Sequence, residues 1–305
     1  MKKRNSLIEL YRFFFALNVV KSHGFFPEGL NLFSPGRVSV EFFFVLSGYL
    51  FLRTLEKLEG LPLKNSLPKL LVAKLKPLAF PLIIGLLSNI VYNIVTKEYF
   101  SGIWGYLWYV EAMMIVFVAY LILKRIIKNE KTFYCVVLGV FIAATLLRFS
   151  GVLYSFGYIR AASTISLGML LARVPQLNIR RKWIGWVLLA PIAAACFLVV
   201  CFHLGNVEWW GGFMGIELIL DCVLYPALIY LTFNVKLESR ALNYLGSLSF
   251  GLYAFQCPLD LARLFGLGNR WVLLSSIVFL AIAENLVKRI LQKRKNKAAP
   301  INSPP

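Results

Sequence analysis

The sequence is poor in acidic residues, histidines and cysteines, and each shortage narrows the possible functions. Among 305 residues there are 14 Asp and Glu against 33 Lys and Arg, with two histidines and five cysteines. The cysteines have no metal-type spacing and mostly fall within apolar segments, so we interpret them as free thiols and predict neither a disulfide nor a metal site. The chain also lacks a detectable internal repeat and a glycine-rich phosphate-binding loop, which argues against repeat proteins and P-loop proteins.

Apolar residues, by contrast, run through the whole chain. Hydrophobic residues make up 59% of the sequence, and the mean hydropathy is +0.71, well above that of a soluble domain. We predict an all-α polytopic membrane protein, a bundle of about ten transmembrane helices embedded in the lipid bilayer. The predicted spans are residues 7–24, 38–55, 77–96, 104–124, 132–147, 157–173, 183–203, 212–233, 241–258 and 271–290. Residues 1–292 are predicted to form a single integral membrane domain, and residues 293–305 a disordered tail.

The net charge of +19 is arranged as in a membrane protein and not as in a nucleic-acid-binding protein. Most Lys and Arg residues fall in the N-terminal segment, in the tail and in alternate loops, of which the stretch from Arg53 to Lys76 is the longest. This asymmetry follows the positive-inside rule for an even number of spans with both termini in the cytoplasm. We therefore predict a multi-pass protein of the cell membrane, of the bacterial inner or plasma membrane type, and no nucleic-acid partner.

The first span carries a stripe of ionisable residues. Arg12 and His23 are eleven positions apart in ELYRFFFALNVVKSH, a spacing that returns to nearly the same helical face about 16 Å further along the axis. Glu9 lies on the same stripe, close enough to pair with Arg12. Such groups are costly in lipid and are expected to face protein or a water-filled cavity, where a neutral imidazole accepts a proton near physiological pH. The alternative is that Glu9 and Arg12 are interfacial anchors and His23 is a satisfied polar residue at the far end.

The second span, VSVEFFFVLSGYLFLR, holds an acidic residue near its start and a pair of small residues in its middle. Glu41 lies in the first turn, where a negative charge is favourable at a helix N-terminus. Ser47 and Gly48 allow a neighbouring helix to approach closely, and packing is the role we favour for them in isolation.

Five segments, in this order, resemble the acyltransferase-3 family of integral membrane O-acyltransferases. ELYRFFFALNVVKSH is similar to the family's first-helix pattern, in which an Arg precedes a His by ten intervening residues. VEFFFVLSGYL is similar to the second-helix signature of an acidic residue, aromatics and a Ser-Gly-aromatic. LWYV at 107–110 resembles the opening of a middle helix, LGSLSFGLYAFQCPL resembles the late Ser-aromatic-Gly-Leu-Tyr motif, and Glu284 stands where the last helix carries an acidic residue.

Three departures indicate a divergent member. In AKLKP, Lys74 and Lys76 stand where the family has arginines before a proline. Lysine ammonium groups, which act as point charges, therefore replace guanidinium groups that can bind a ligand in a bidentate manner. Gln256 stands where a His often follows the Tyr of the late motif, and Asn285 follows Glu284 in place of a basic-Pro pair. These changes leave the implied reaction class intact.

The resemblance implies an acyltransferase that moves an acyl group, most often acetyl, from cytosolic acyl-CoA to a hydroxyl of a cell-surface or lipid-linked carbohydrate. Acetyl-CoA or another acyl-CoA is then a donor substrate, and no bound cofactor is expected. His23 is expected to be the general base, and Glu41 to orient its imidazole and stabilise the charged form. Arg12 is expected either to contact the thioester end of the donor or to balance Glu9.

Two further groups of charged residues have expected roles. The basic loop after the second span is expected to attract the phosphates of acyl-CoA through Arg53, Lys69, Lys74 and Lys76. The other charges in or near the spans are expected to serve mainly in ion pairs inside the bundle. These residues are Glu111, Arg148, Arg160, Glu217, Asp221 and Asp260.

A function from another class stays open. A transporter or exporter that moves a saccharide or lipid-linked glycan without acyl transfer suits buried charges in a multi-span bundle equally well. A membrane scaffold is less favoured, because it has no need of a charged stripe with a histidine. The sequence points to no particular protein partner.

Overall fold

The computed structural model describes residues 5–25, 36–97, 105–150, 153, 157–177, 182–202, 213–235, 237–266 and 268–298, which are mostly helical and contain no β-strand. Their thirteen α-helices are α1 (Ser6–Ser22), α2 (Gly36–Leu58), α3 (Leu63–Leu75), α4 (Ala79–Thr96), α5 (Trp108–Ile126), α6 (Glu130–Phe149), α7 (Gly157–Leu171), α8 (Lys182–Phe202), α9 (Phe213–Ile219), α10 (Tyr225–Asn234), α11 (Arg240–Ala254), α12 (Gln256–Leu264) and α13 (Arg270–Ala298). A 3₁₀ turn, Lys76–Leu78, joins α3 to α4, and a π-helical segment, Leu220–Leu224, joins α9 to α10. The predicted all-α class is confirmed.

Each of the ten predicted spans coincides with a helix or a continuous helical run, but the ninth is interrupted. There α11 ends at Ala254 and α12 begins at Gln256. Pro258 accounts for the break, because a proline ring clashes with the carbonyl group four residues earlier, which is that of Ala254. Proline is tolerated in the first turn of a new helix, where its missing N–H is not needed.

Six helical runs in the described residues are long and apolar enough to cross a membrane, judged by length and composition. They are Val38–Leu58, Leu63–Thr96, Glu130–Phe149, Trp183–Val200, Gly215–Asn234 and Arg270–Leu291. Several of them turn large apolar side chains outward, as α4 does with Ile94 and α8 with Trp183. The chain is therefore a multi-pass membrane protein, while the count of ten spans and the cytoplasmic position of both termini stay predictions.

Two helical segments were not expected from the sequence. The basic connection after the second span contains α3, which buries Ser66 and Leu70 and leaves Lys64 and Lys69 exposed. The last helix runs on to Ala298, into the segment that was predicted to be a disordered tail from residue 293. Residues 299–305 of that tail lie outside the described part of the chain.

Glycines allow the central helices to pack with their backbones in contact. A Cβ atom added at Gly48 of α2 would lie 2.1 Å from the carbonyl oxygen of Ile165 in α7, and one added at Gly168 of α7 would lie 2.1 Å from that of Val45. These distances are far below van der Waals contact, so only glycine fits at either position. The packing role predicted for Gly48 is confirmed, and it is the close approach of small residues usual in membrane bundles.

The start of α1 is fixed against the end of α10. Asn5 caps α1 by accepting a hydrogen bond from the backbone N–H of Leu7 at 3.0 Å. Its amide nitrogen donates to the carbonyl oxygens of Thr232 and Val235, each at 2.7 Å. The register of the charged stripe of α1 is therefore set by contacts at its first turn.

Candidate functional site

The charged stripe of α1 begins with an ion pair. Nη1 of Arg12 donates to Oε2 of Glu9 at 3.0 Å, which confirms the predicted i, i+3 pair. The Glu9 side chain is buried against Gly246 of α11, where an added Cβ would lie 2.2 Å from Oε2. By contrast, 32% of the Arg12 side chain is exposed. Glu9 is thus fixed by packing, and Arg12 extends from it toward open space.

That space is a cavity of about 190 Å³ between α1, α2, α5 and α11, with one residue from α3 in its wall; we call it the central cavity. The wall is largely apolar, with a few polar groups that converge on the interior. Its polar residues are Arg12, Ser47, Lys74, Tyr109, Ser249 and Tyr253, and its apolar residues are Val19, Val40, Phe43, Leu50, Leu78, Met113, Phe117 and Phe250. An apolar cavity with a few placed polar groups is the usual form of a binding site for a small molecule or a substrate arm.

Lys74 reaches the central cavity over a pair of aromatic rings. Phe51 of α2 and Phe117 of α5 stack with centroids 4.0 Å apart and planes 9° apart. The Lys74 Nζ atom lies 5.8 Å from the first centroid and 5.0 Å from the second. Cation–π attraction of this kind compensates in part for the lost hydration of an ammonium group. Lys74 is therefore held as a second cation, with Arg12, in one cavity.

The structure separates the four basic residues that were predicted to bind the donor. Lys74 lines the central cavity, whereas Arg53, Lys69 and Lys76 lie on the exposed surface at the same end of the bundle and are not part of the cavity wall. These three residues supply positive charge around α3 without direct access to the cavity.

Two of the hydroxyl groups in the cavity wall, those of Ser47 and Tyr109, lie close to each other. The Oγ atom of Ser47 and the hydroxyl oxygen of Tyr109 are 3.5 Å apart. The Tyr109 ring packs edge-to-face on Tyr253, with centroids 5.8 Å apart, which restrains its orientation. Sequence reasoning did not assign either hydroxyl to the site, although both occur in segments that carry the family resemblance.

His23 lies just past the last turn of α1, at the opposite end from the Glu9–Arg12 pair. Its side chain is half-buried, and its backbone carbonyl oxygen accepts a hydrogen bond from Nη1 of Arg263 in α12 at 3.2 Å. Val19, which lines the central cavity, precedes His23 by four residues, or about 6 Å along the helix axis. The cavity thus approaches the end of α1 at which His23 is located.

Glu41 lies in a different environment, a buried cluster of charges that we call the charge cluster. It joins Glu41 of α2, Arg148 of α6, Arg160 of α7, Glu217 of α9 and Asp221 of the π-helical segment. Arg148 donates from Nη1 to Asp221 at 2.5 Å, and from Nη2 to Glu217 at 2.8 Å and also to Glu41. Nη2 of Arg160 donates to Oε1 of Glu41 at 2.6 Å.

The charge cluster confirms the ion-pair role predicted for Arg148, Arg160, Glu217 and Asp221. All five of its members are at most 5% exposed, and two guanidinium groups face three carboxyl groups. Asp221 enters the cluster from the π-helical segment, a local widening of the helix that often occurs where a side chain must be re-aimed. The role predicted for Glu41 beside His23 stays a prediction, while its hydrogen bonds within the cluster run to Arg148 and Arg160.

The remaining charged residues of the predicted set also have partners. Asp260 pairs with Arg263 at 3.2 Å, and Glu111 interacts with the hydroxyl group of Tyr158. Glu284, the acidic residue of the last helix, pairs with Lys288, whose Nζ donates to the carbonyl oxygen of Pro77 at 2.8 Å. These contacts tie α13 to the 3₁₀ turn that precedes α4.

Comparison with known proteins bears directly on this arrangement. A family model described as an acyltransferase domain, of the acyltransferase-3 type, matches residues 6–283. No curated protein and no solved structure matches the chain. The matched range begins at the first residue of α1 and extends into α13, so it includes the charged stripe, the central cavity and the charge cluster. The chain therefore belongs to the acyltransferase-3 family of membrane acyltransferases.

Proposed function

We propose that the protein transfers an acyl group, most simply acetyl, from cytosolic acyl-CoA to a hydroxyl group of a cell-surface or lipid-linked carbohydrate, with His23 as the general base. The observation that best supports this proposal is the central cavity, which has Arg12 and Lys74 in its wall and extends to Val19, one turn before His23. On the predicted topology, the end of the bundle near α3 faces the cytoplasm and the end near His23 faces away from it. The cavity then lies between a cytosolic donor and an acceptor on the far side.

The charges around the cavity suit an anionic donor. Arg53 of α2, Lys69 of α3 and Lys76 of the following 3₁₀ turn are exposed, and such positive charge raises the local concentration of a phosphate-bearing ligand. A volume of about 190 Å³ is below the range of pockets that enclose a drug-sized ligand. The extended arm and acyl end of acyl-CoA would therefore enter the cavity, and the nucleotide would stay outside at α3.

Arg12 and His23 are assigned to different parts of the reaction because about 16 Å of helix separates them. A guanidinium group carries five N–H donors, and the hydrogen bond to Glu9 uses one of them. The others suit the carbonyl oxygens of the donor arm within the cavity. His23, at the far end, suits the hydroxyl group of the acceptor.

In the proposed reaction, the acceptor oxygen attacks the carbonyl carbon of the thioester while His23 removes the hydroxyl proton. A carbon–oxygen bond forms, the carbon–sulfur bond breaks, and the thiolate of coenzyme A takes the proton back from the imidazolium. The products are an acyl ester of the carbohydrate and free coenzyme A, so the atoms balance without a further reactant. His23 is returned to its neutral form for the next turnover.

The test uses purified protein in lipid nanodiscs with radiolabelled acetyl-CoA and a panel of oligosaccharides. We expect label in the saccharide fraction that mild base releases as acetate. His23→Ala should lower the rate by about 10²–10⁴-fold, the usual contribution of a positioned base, with an unchanged size-exclusion profile. His203→Ala removes the other histidine and serves as the matched control, which should keep its activity.

Two results would contradict the proposal in different ways. Near wild-type transfer by His23→Ala protein would exclude His23 as the base. Oligosaccharide that crosses the membrane of proteoliposomes without acquiring label would favour the transporter instead.

A further inference from the structure

We infer that Asp260 is the positioning residue for His23, and that its carboxylate orients the imidazole ring and stabilises the protonated form. This inference rests on the proposed function, in which His23 takes up a proton in each turnover. It differs from the expectation drawn from the sequence, which gave that task to Glu41.

The geometry at the end of α1 supports this pairing. A single nitrogen, Nη1 of Arg263, donates both to the backbone carbonyl oxygen of His23 and to Oδ1 of Asp260, each at 3.2 Å. The guanidinium group also lies 5.5 Å from the centroid of the Phe25 ring. At Gly24 the backbone turns with a φ of +76°, and an added Cβ would lie 3.8 Å from both terminal nitrogens of Arg263. One side chain of α12 therefore holds the backbone of His23 and the carboxylate of Asp260 together.

The local electrostatics point the same way. Burial of the His23 imidazole favours its neutral form, and the negative charge of Asp260 opposes this by favouring the charged form. Only 13% of the Asp260 side chain is exposed, and His23 is half-buried, so water screens this interaction weakly. A carboxylate close to an imidazole favours the imidazolium form, which is the form that the reaction has to produce. It also fixes the ring orientation, as the acidic member of a catalytic triad does.

The other charges around His23 do not take over this role. Arg263, on the same helix as Asp260, and Lys21, two residues before His23 on α1, are cationic and disfavour a second positive charge. Glu41 accepts hydrogen bonds from Arg148 and Arg160 within the charge cluster. Asp260 is therefore the carboxylate best placed to act on His23.

The experiment measures the protonation of His23 directly, without acyl transfer. In a His203→Asn background, His23 is the single histidine of the chain. Diethylpyrocarbonate modifies the neutral imidazole, and the product is followed by its absorbance, so the rate as a function of pH gives the midpoint of protonation. We expect Asp260→Asn to lower this midpoint by about one pH unit, because the stabilising negative charge is lost.

Three further variants test whether a shift in the midpoint of His23 protonation comes from the Asp260 carboxylate and not from a general change in the protein. Asp260→Glu keeps the charge and should keep the midpoint within about 0.3 pH unit of the parent protein. Asp260→Ala removes the carboxylate in a second way and should lower the midpoint by a similar amount, which gives a second test if Asp260→Asn folds poorly. Glu238→Gln is the matched control, because it removes a carboxylate beside the start of α1, where the N–H of Ser6 donates to Leu237 at 3.1 Å. His23 is about 25 Å away along the helix, so its midpoint should not move.

The outcomes distinguish this inference from the proposed function. An unchanged midpoint in Asp260→Asn, or in Asp260→Ala where only that variant folds, would overturn the role of Asp260, even if His23→Ala abolishes acyl transfer. A shifted midpoint in a protein that transfers no acyl group would uphold the pairing and reject the proposed function. Where both hold, Asp260→Asn should lower kcat by about tenfold and leave the KM for acetyl-CoA unchanged, because the positioning acts on the transition state.

Discussion

Removing Arg148 from the charge cluster should destabilise the protein more than any other single change there. The guanidinium group donates to Glu41, Glu217 and Asp221, and none of its side chain is exposed. Arg148→Met replaces it with a shorter apolar side chain and removes the cation that Glu217 and Asp221 contact. Removing one partner of a buried ion pair costs about 3–5 kcal/mol, because the other charge stays buried and uncompensated.

A control within the same cluster tests whether charge balance is the reason. Three carboxyl groups face two guanidinium groups, so Asp221→Asn removes the excess negative charge and preserves the shape of the side chain. We expect it to cost less, about 1.5–3 kcal/mol, the scale of one hydrogen bond to a charged group. Arg148→Lys keeps the charge but cannot span three acceptors, and should fall between the two.

The measurement is the free energy of unfolding in mixed micelles, obtained by titration with SDS and followed by tryptophan fluorescence. A difference of about 2 kcal/mol between Arg148→Met and Asp221→Asn is well within its resolution and corresponds to about thirtyfold in the unfolding equilibrium. If Arg148→Met were as stable as the wild type, or Asp221→Asn were equally damaging, the cluster would not act as a balanced link between α2, α6, α7 and α9.

Two predictions concern the central cavity. Arg12→Lys keeps the positive charge opposite Glu9 but loses the planar guanidinium group with its several donors, and should lower the rate of acyl transfer by about tenfold or more with intact folding. Full activity of this variant would show that Arg12 serves only to balance the charge of Glu9. Neutralising Lys74 and Lys76 together should raise the KM for acetyl-CoA several-fold and change kcat much less, an effect that shrinks in about 1 M salt, where charges are screened over ~3 Å. Lys74→Gln alone should produce most of the rise in the KM for acetyl-CoA, whereas Lys69→Gln, on the exposed surface, should produce little. An equal rise in the two variants would place the donor outside the cavity.

Features set by local sequence were predictable. Apolar runs of sufficient length must form helices in lipid, where every backbone group needs an internal partner, and the helices coincide with the predicted spans. The Glu9–Arg12 pair depends on i, i+3 spacing alone. Gly48 was recognised because a small residue in an apolar helix has few uses other than close packing.

Features set by tertiary packing were not predictable. The partners of Glu41 are 107 and 119 residues away in sequence, on helices whose relative placement no local pattern encodes. His23 and Arg263 are separated by 240 residues. Nothing in AKLKP indicates that Lys74 enters the bundle while Lys76 stays outside, since that depends on how α3 packs against α5. A histidine and a carboxylate could be named as candidates from the sequence, but not paired.

The different surroundings of Arg12 and Arg148 show why Arg12 is the better candidate to bind a ligand. Arg148 is fully buried and its terminal nitrogens serve three carboxylates, so any ligand would have to displace an existing ion pair. Arg12 serves one carboxylate, is one-third exposed, and lines a cavity. A ligand that displaced a buried carboxylate from Arg148 would cost several kcal/mol. A ligand that bound the remaining N–H donors of the partly exposed Arg12 would displace only water. Arg148 therefore links α6 to α2 and to the helical run from α9 into the π-helical segment, while Arg12 has donors that suit the proposed donor substrate.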